Sequence, residues 1–139
     1  MAGRITFAML KPDAVKNGHI GKIIDRIIQA GFQIRAMKMV RLTDKQAAQF
    51  YIIHKDRPFY SSLIQFMTSG PCIPMILERE NAVAEFRKLI GATDPAKAEE
   101  GTIRKAFATS IEANAIHGAD SEENALREAR FFFAEMEEI

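Results

Sequence analysis

The sequence predicts an α+β fold in which an antiparallel sheet is covered by helices, and three observations carry that prediction. Apolar runs of strand length recur at residues 5–10, 32–42 and 72–77 and again just before His117, each bounded by turn or capping residues. Between them lie segments with apolar residues at helical spacing, clearest at Ile20, Ile23, Ile24, Ile27 and Ile28, which share one face of a 3.6-residue period. The resulting order, β-α-β-α-α-β-α-β-α, has the strands separated by helices throughout, and no repeat, low-complexity tract or linker divides it. Residues 1–139 are therefore read as one domain.

Each element has a local cause. The first strand runs into Lys11-Pro12-Asp13-Ala14, where a cation stands at the strand's end and the proline opens the next turn. The isoleucine helix ends at Gly31. Residues 32–42 read as extended, and Arg35, Lys38 and Arg41 place charge along them, as expected of an edge strand or one that pairs across a subunit boundary. Thr43-Asp44-Lys45-Gln46 fits a capping box for a short helix running towards Tyr51. Tyr51 and His54, three apart on that helical stretch, share a face, and Arg57-Pro58 then breaks it and re-aims Phe59. Residues 59–69 form another helix, closed by Gly70-Pro71. In the strand at 72–77, Pro74 cannot donate to a ladder, so a local bulge is expected there. Val83, Phe86, Leu89 and Ile90 mark a further helix; Gly91-Ala92-Thr93-Asp94-Pro95 begins a loop that resumes helix at Gly101-Thr102-Ile103-Arg104. Asp120 or Ser121 caps the last helix, read over residues 125–133, with Glu122 and Glu123 suiting its positive end.

Composition narrows the function classes. With 47% hydrophobic residues the chain can bury a real core. The net charge is only +1, yet residues 1–57 carry 11 Lys and Arg against 4 Asp and Glu, while residues 58–139 carry 8 against 14. Folded together the halves neutralise each other, which argues against a nucleic-acid-binding protein, and Glu135, Glu137 and Glu138 read as a solvated terminus. Cys72 is the only cysteine, so no intrachain disulfide can form and a reducing compartment is natural; Cys72 itself reads as a small buried hydrophobe. Residues 1–10 lack the apolar core of a signal peptide and no segment reaches a membrane span, so a cytosolic protein with no membrane partner is expected. His19 reads as an exposed turn residue, and the three histidines lie too far apart in sequence for a zinc site. The methionines read as core packing, and residues 131–133 as a seal of the last helix against the sheet or another subunit.

The most informative stretch is Asn114-Ala115-Ile116-His117-Gly118-Ala119-Asp120-Ser121. It places His117 at a strand-to-helix junction, at the mouth of a sheet, with Gly118 permitting a sharp turn and close backbone approach. Imidazole is a nucleophile as well as a base, and its ordinary pKa leaves it largely neutral at cellular pH. Three other segments bear on it: the Lys11-Pro12-Asp13 corner, the stretch from Tyr51 through Arg57-Pro58-Phe59-Tyr60, and the Gly91 loop.

Taken together these segments resemble the nucleoside diphosphate kinases, in order and at family-like spacing across essentially the whole chain. The resemblance implies a ferredoxin-like βαββαβ core with an inserted helical pair. It also implies transfer of the terminal phosphoryl group of a nucleoside triphosphate to a nucleoside diphosphate, ping-pong, through a phosphohistidine on His117. Phosphoryl transfer needs positioned positive charge, and without a Walker A sequence that charge must come from separate side chains. By resemblance Arg87, Thr93 and Arg104 bind the nucleotide phosphates together with His54 and a magnesium ion held mainly by those phosphates, with Asp120 the one side chain in reach of it. Arginine suits the task because its planar fork contacts two phosphate oxygens at once. Phe59 matches the aromatic that stacks on the nucleobase without reading its edges, Ile111 the aliphatic on the base's other side, and Lys11 and Asn114 the ribose-binding pair, with Lys11 also near phosphate charge. Broad base specificity follows. Tyr51 would lie beside His117 and Glu128 would fix the imidazole tautomer.

The implied partners are ATP and other nucleoside tri- and diphosphates, and the implied assembly is a homo-oligomer, tetramer or hexamer, built from dimers. Two departures stand out. Ala119 replaces a frequent serine whose hydroxyl would bond near Glu128, so weaker orientation of the histidine–glutamate pair is expected. Lys105-Ala106 replaces a more familiar glycine-acid pair after Arg104. The alternative reading is a catalytically silent nucleotide-binding regulator of the same fold; loss of His117, Arg87 or Arg104 would signal it, and all three are present.

Overall fold

Alternation along β1 (Ile5–Leu10) sets the architecture: Phe7 and Met9 point into one buried cluster, Ala8 and Leu10 into another. A strand buried on both faces must be apolar at nearly every position, and β1 and its neighbour β3 (Ile73–Glu78) are. The computed structural model describes residues 3–139, so Met1 and Ala2 of the expected single domain lie outside the described residues. The sheet has four strands in the order β2-β3-β1-β4, where β2 is Gln33–Met37 and β4 is Ile116–Gly118, and all neighbours are antiparallel. With α1 (Pro12–Lys16) and α2 (Ile20–Gln29) after β1, and α5 (Ala82–Ile90) and α6 (Ile103–Phe107) after β3, this is the ferredoxin-like arrangement. The inserted pair is α3 (Asp44–Phe50) and α4 (Tyr60–Met67), joined by a 3-10 turn at Ile52–His54.

One face of the sheet packs Phe7, Met9 and Ile76 against Phe50 from α3, Phe132 from the last helix, α7 (Glu122–Phe132), and Phe133, which caps it. The other packs Leu10, Met75 and Leu77 against Ile23, Ile27, Phe86 and Ile90, from α2 and α5. Local signals act as read: Thr43 and Gln46 form both halves of a capping box, and Ser121, rather than Asp120, caps α7 through Asn124 N–H.

Three expectations are corrected. The ladder of β2 stops at Met37 instead of running to residue 42, leaving a lone bridge between Val40 and Cys72. Pro74 lies in register opposite Met9, and the register shift falls elsewhere, between Ile34 and Ala36. The Pro74 carbonyl accepts from Lys38 N–H; a strand residue's N–H and C=O point to the same side, so the missing donor faces the stretch where β2 has left the ladder. His19 is half-buried, its ring 4.9 Å from that of Phe107.

Candidate active site

Register places the histidine. His117 pairs with Met9 across the antiparallel β1–β4 ladder, and cross-strand partners share a face, so its side chain emerges on the side covered by α3 and α7. Its ring there sits 5.7 Å from that of Phe50 and 6.0 Å from that of Phe7. Gly118, one residue on, points to the opposite face, where a Cβ would come within 2.9 Å of Phe86 Cδ2. A glycine is therefore required to seat β4 against α5.

The cleft above His117 encloses about 520 Å³, and every candidate catalytic or nucleotide-binding residue lines it, as does Asp120: Lys11, Tyr51, His54, Phe59, Arg87, Thr93, Arg104, Ile111, Asn114 and Glu128. Nε2 of His117 lies 2.8 Å from Oε1 of Glu128. Glu128 is buried, and its second oxygen faces Arg127 Nη2 at 3.5 Å. A carboxylate there accepts the Nε2 proton, which leaves the lone pair on Nδ1. Ala119 is fully buried and brings no hydroxyl, so Arg127, which the sequence reading passed over, is the second group on Glu128. No local pattern marked it, since an arginine on an exposed helical face is ordinarily a surface charge.

Tyr51 caps the end of α3 and is buried; its hydroxyl has no hydrogen-bond partner among the described residues. Burial, reinforced by Cys72 and Glu128, drives its pKa up, so it stays a neutral phenol. The rings of Tyr51 and His54 lie 6.4 Å apart and those of His54 and Phe59 5.5 Å apart, a short aromatic run along the wall. Burial, then the charge of Arg57, lowers the pKa of His54, keeping it neutral near pH 7. Phe59 and Ile111 expose 44% and 60% of their surface, which leaves both free to cover a flat apolar ligand at the cleft mouth.

The cations are crowded. Burial and the neighbouring Arg104 push Lys11 down to about 8, and burial and Arg87 push Arg104 down to about 10. Positive groups held together at this cost make a site for a polyanion. Lys11 Nζ donates to Asn114 Oδ1 at 2.9 Å, and Asn114 Nδ2 to the Thr93 carbonyl at 3.3 Å. Arg104 clamps the protein itself: Nη1 donates to Gly91 O at 3.0 Å and Nη2 to Ile116 O at 2.8 Å, while buried Nε has no partner. This clamp closes the loop that the sequence places between Gly91 and Gly101. Gly91 makes the closure possible, with φ of +87° and no room for a Cβ, which would meet Thr102 Oγ1 at 2.6 Å.

Asp120 is the carboxylate at the rim, held below its ordinary pKa by the Asn124 side-chain hydrogen bond at 2.6 Å. No group of three His, Cys, Asp or Glu side chains able to hold a metal occurs among the described residues. A single carboxylate at the rim suits a hard cation carried in on phosphate oxygens.

Asn114 and His117 flank a strained corner. Ala115 has φ of +73°, and Ile116 N–H donates to Asn114 O at 2.8 Å across it, a three-residue turn of the rare hand that costs about 1–3 kcal/mol in a residue with a side chain. Ala115 N–H donates to Asp13 Oδ2 at 3.0 Å and its carbonyl accepts from Lys11 N–H at 2.9 Å. No local pattern marks Asp13's part in this, because its partner lies 102 residues away.

The geometry agrees with what the chain resembles. The family model described as nucleoside diphosphate kinase matches residues 4–138. The chain is 58% identical over 134 residues to a nucleoside diphosphate kinase of Chlorobium limicola, covering 96% of both, and 56% identical over 139 residues to that of Flavobacterium psychrophilum, covering all of both. A crystal form of the Aquifex aeolicus nucleoside diphosphate kinase superimposes with a TM-score of 0.95 at 44% identity, covering 98% of this chain and 99% of that one. The Halobacterium salinarum enzyme in complex with CDP gives 0.93 at 38% identity, covering 97% and 90%. With its sheet, its histidine and its ring of cations in this arrangement, the chain belongs to the nucleoside diphosphate kinase family and is a phosphotransferase acting on nucleoside di- and triphosphates.

Proposed function

We propose that transfer is ping-pong through a phosphohistidine formed on Nδ1 of His117. The observation that carries this reading is the 2.8 Å contact between Nε2 and Glu128, which commits one ring nitrogen and leaves the other nucleophilic. The Nδ1 lone pair attacks the terminal phosphorus of a nucleoside triphosphate, the bond to the bridging oxygen breaks, and the electron pair leaves on the diphosphate. A terminal oxygen of a second nucleoside diphosphate then attacks the same phosphorus, and the P–N bond returns its electrons to the ring. Glu128 stabilises the positive charge that develops on imidazole as the P–N bond forms, and Arg127 holds Glu128.

In this reading Arg87, Thr93, Arg104 and His54 contact the phosphates, with Arg104 exchanging part of its clamp for the ligand. Lys11 and Asn114 take the ribose hydroxyls, Phe59 and Ile111 enclose the base, and Tyr51 walls the nucleophile. Magnesium bound to the phosphates, with Asp120 beside it, would neutralise their charge. Stacking between Phe59 and Ile111 reads no base edge, which supports breadth across nucleobases. The same reading treats residues 1–139 as one domain, puts the enzyme in the cytosol, where an unpaired Cys72 is at home, and assembles it from dimers into a tetramer or hexamer, which sedimentation would distinguish.

Incubation with γ-labelled ATP and magnesium, without acceptor, is expected to give stoichiometric label on the peptide containing His117, labile in acid and stable in alkali. Protonation makes imidazole a good leaving group, whereas alkali leaves the P–N bond intact. GDP and CDP should both discharge it as the triphosphates. Exchange without any phosphoenzyme at neutral pH would overturn the mechanism, and ATP retained without labelling would favour the silent regulator.

Lys11 sets a pH limb. Free enzyme carries its charge below about pH 8 and loses it above, so kcat/KM for nucleotides is expected to fall with an apparent pKa near 8, while kcat, reporting the phosphate-bound form, holds to higher pH. The contribution is present at low pH and lost as pH rises. Lys11→Gln should remove that limb and leave a uniformly lower kcat/KM; a limb unchanged in the variant assigns it to another group.

A further inference from the structure

We propose that Asp13 is a positioning residue for phosphoryl transfer: its carboxylate holds Ala115 in the left-handed turn that sets Asn114 and His117 in the cleft. The proposal rests on His117 as the phosphate acceptor and adds the device that fixes where it stands.

Ala115 is fully buried, and a residue with a side chain adopts φ of +73° only when its surroundings compel it. Both of its backbone polar groups are held by one short segment. Asp13 Oδ2 accepts from Ala115 N–H at 3.0 Å, and Lys11 N–H donates to Ala115 O at 2.9 Å. The second bond is backbone to backbone and any residue at 11 supplies it; the first needs an acceptor side chain at position 13. Pro12 opens α1 immediately before Asp13 and fixes that approach.

The turn lies between two functional groups. On its N-terminal side Asn114 meets Lys11 Nζ at 2.9 Å. On its C-terminal side β4 begins at once, and β4 is only three residues long, pairing Ile116, His117 and Gly118 with Leu10, Met9 and Ala8. Such a strand has little ladder to hold its register by itself. If Ala115 relaxed to an ordinary conformation, the chain direction entering β4 would change and carry the imidazole off Glu128. Asp13 is half-buried, and its carboxylate is raised above the ordinary range, first by burial and against the opposing effect of Lys11; the contact with Ala115 N–H is therefore kept at a desolvation cost, and what Ala115 N–H takes from position 13 is a hydrogen-bond acceptor.

The test separates holding the turn from pairing with Lys11. Asp13→Ala is expected to lower kcat, and the single-turnover rate of phosphoenzyme formation at saturating ATP, by about 100-fold through misplacement of the nucleophile, with the dissociation constant for ADP within about threefold. Asp13→Asn, which keeps an acceptor without the charge, should stay within about fivefold of the unsubstituted enzyme. Ala115→Gly alone should be near neutral, and in the Asp13→Ala background it should restore kcat at least tenfold, because glycine enters the left-handed turn unassisted. Should Asp13→Ala not fold, Asp13→Ser, too short to reach Ala115, replaces it. Failure of Ala115→Gly to rescue, or Asp13→Asn as damaged as Asp13→Ala, overturns the proposal in favour of a charge effect on Lys11; an unaffected Asp13→Ala overturns it outright. Labelling of His117 in the unsubstituted enzyme is measured alongside, so that loss of the phosphohistidine reading is seen separately from loss of this one.

Discussion

His117→Ala is expected to lower phosphoryl exchange between ATP and a second nucleoside diphosphate by at least about 10⁴-fold, with ADP affinity within about tenfold of the original. The separation follows from where the contacts lie. Lys11 follows β1 and caps α1, Phe59 caps α4, Arg87 and Arg104 lie on α5 and α6, and Ile111 and Asn114 lie in the loop before β4, and none of them hydrogen-bonds to the imidazole. What disappears is the imidazole whose Nε2 is committed to Glu128, the group proposed to take the phosphoryl. Glu128 keeps Arg127 as a partner in the variant, so the buried carboxylate is not left alone. An exchange assay and calorimetric titration with ADP measure the two quantities. Residual exchange within a hundredfold of the original would show that the phosphoryl group passes by another route, and a comparable loss of ADP binding would show that the histidine holds substrate.

Phe7→Ala is expected to destabilise the protein by about 3–5 kcal/mol, a large share of the roughly 5–15 kcal/mol available to a domain. Phe7 is fully buried at the centre of the sheet, stacked on Phe132 at 5.6 Å and packed on Phe50 at 5.9 Å, so its removal leaves a cavity beneath the active site that neighbouring rings cannot close without leaving their own contacts. His117 rests on the same ring, and exchange activity of the folded variant should fall as well. Urea denaturation at one fixed protein concentration measures the stability change, since assembly adds a concentration-dependent part. A loss below about 1 kcal/mol would mean that this aromatic cluster repacks and does not brace the site.

The two variants probe different kinds of information in the chain. His117 was legible because a strand end, a glycine and a capping serine surround it within eight residues, and the apolar run at 5–10, to which Phe7 belongs, read as a strand. Two helix starts carry local signals for the same reason: the box at Thr43 and Gln46 and the cap at Ser121 act over three residues, a distance at which neighbours in sequence are neighbours in space, although the last helix, read over 125–133, runs Glu122–Phe132 from that cap. The ring of candidate residues came from recognised motifs in their order, and the cleft brings all of them together.

What local pattern could not supply is whatever depends on segments meeting from far apart. The order β2-β3-β1-β4 decides that His117 shares a face with Phe7 and Glu128. It also decides where the missing N–H of Pro74 falls, on the side where β2 has already left the ladder, so the proline needs no bulge of its own. His19 lost its exposed reading to Phe107, a contact made only once α6 packs beside α2. Arg104 reads as a phosphate ligand in sequence, yet in the folded chain it also ties Gly91 to Ile116. By itself the sequence determined most of the elements and the core pattern, because those rest on periods a few residues long, and its motifs named candidate site residues that the cleft brings together. Only the tertiary structure decided what surrounds His117: Arg127 behind Glu128, and Asp13 on a strained Ala115, interactions whose geometry exists only after the sheet has brought the first strand beside the last.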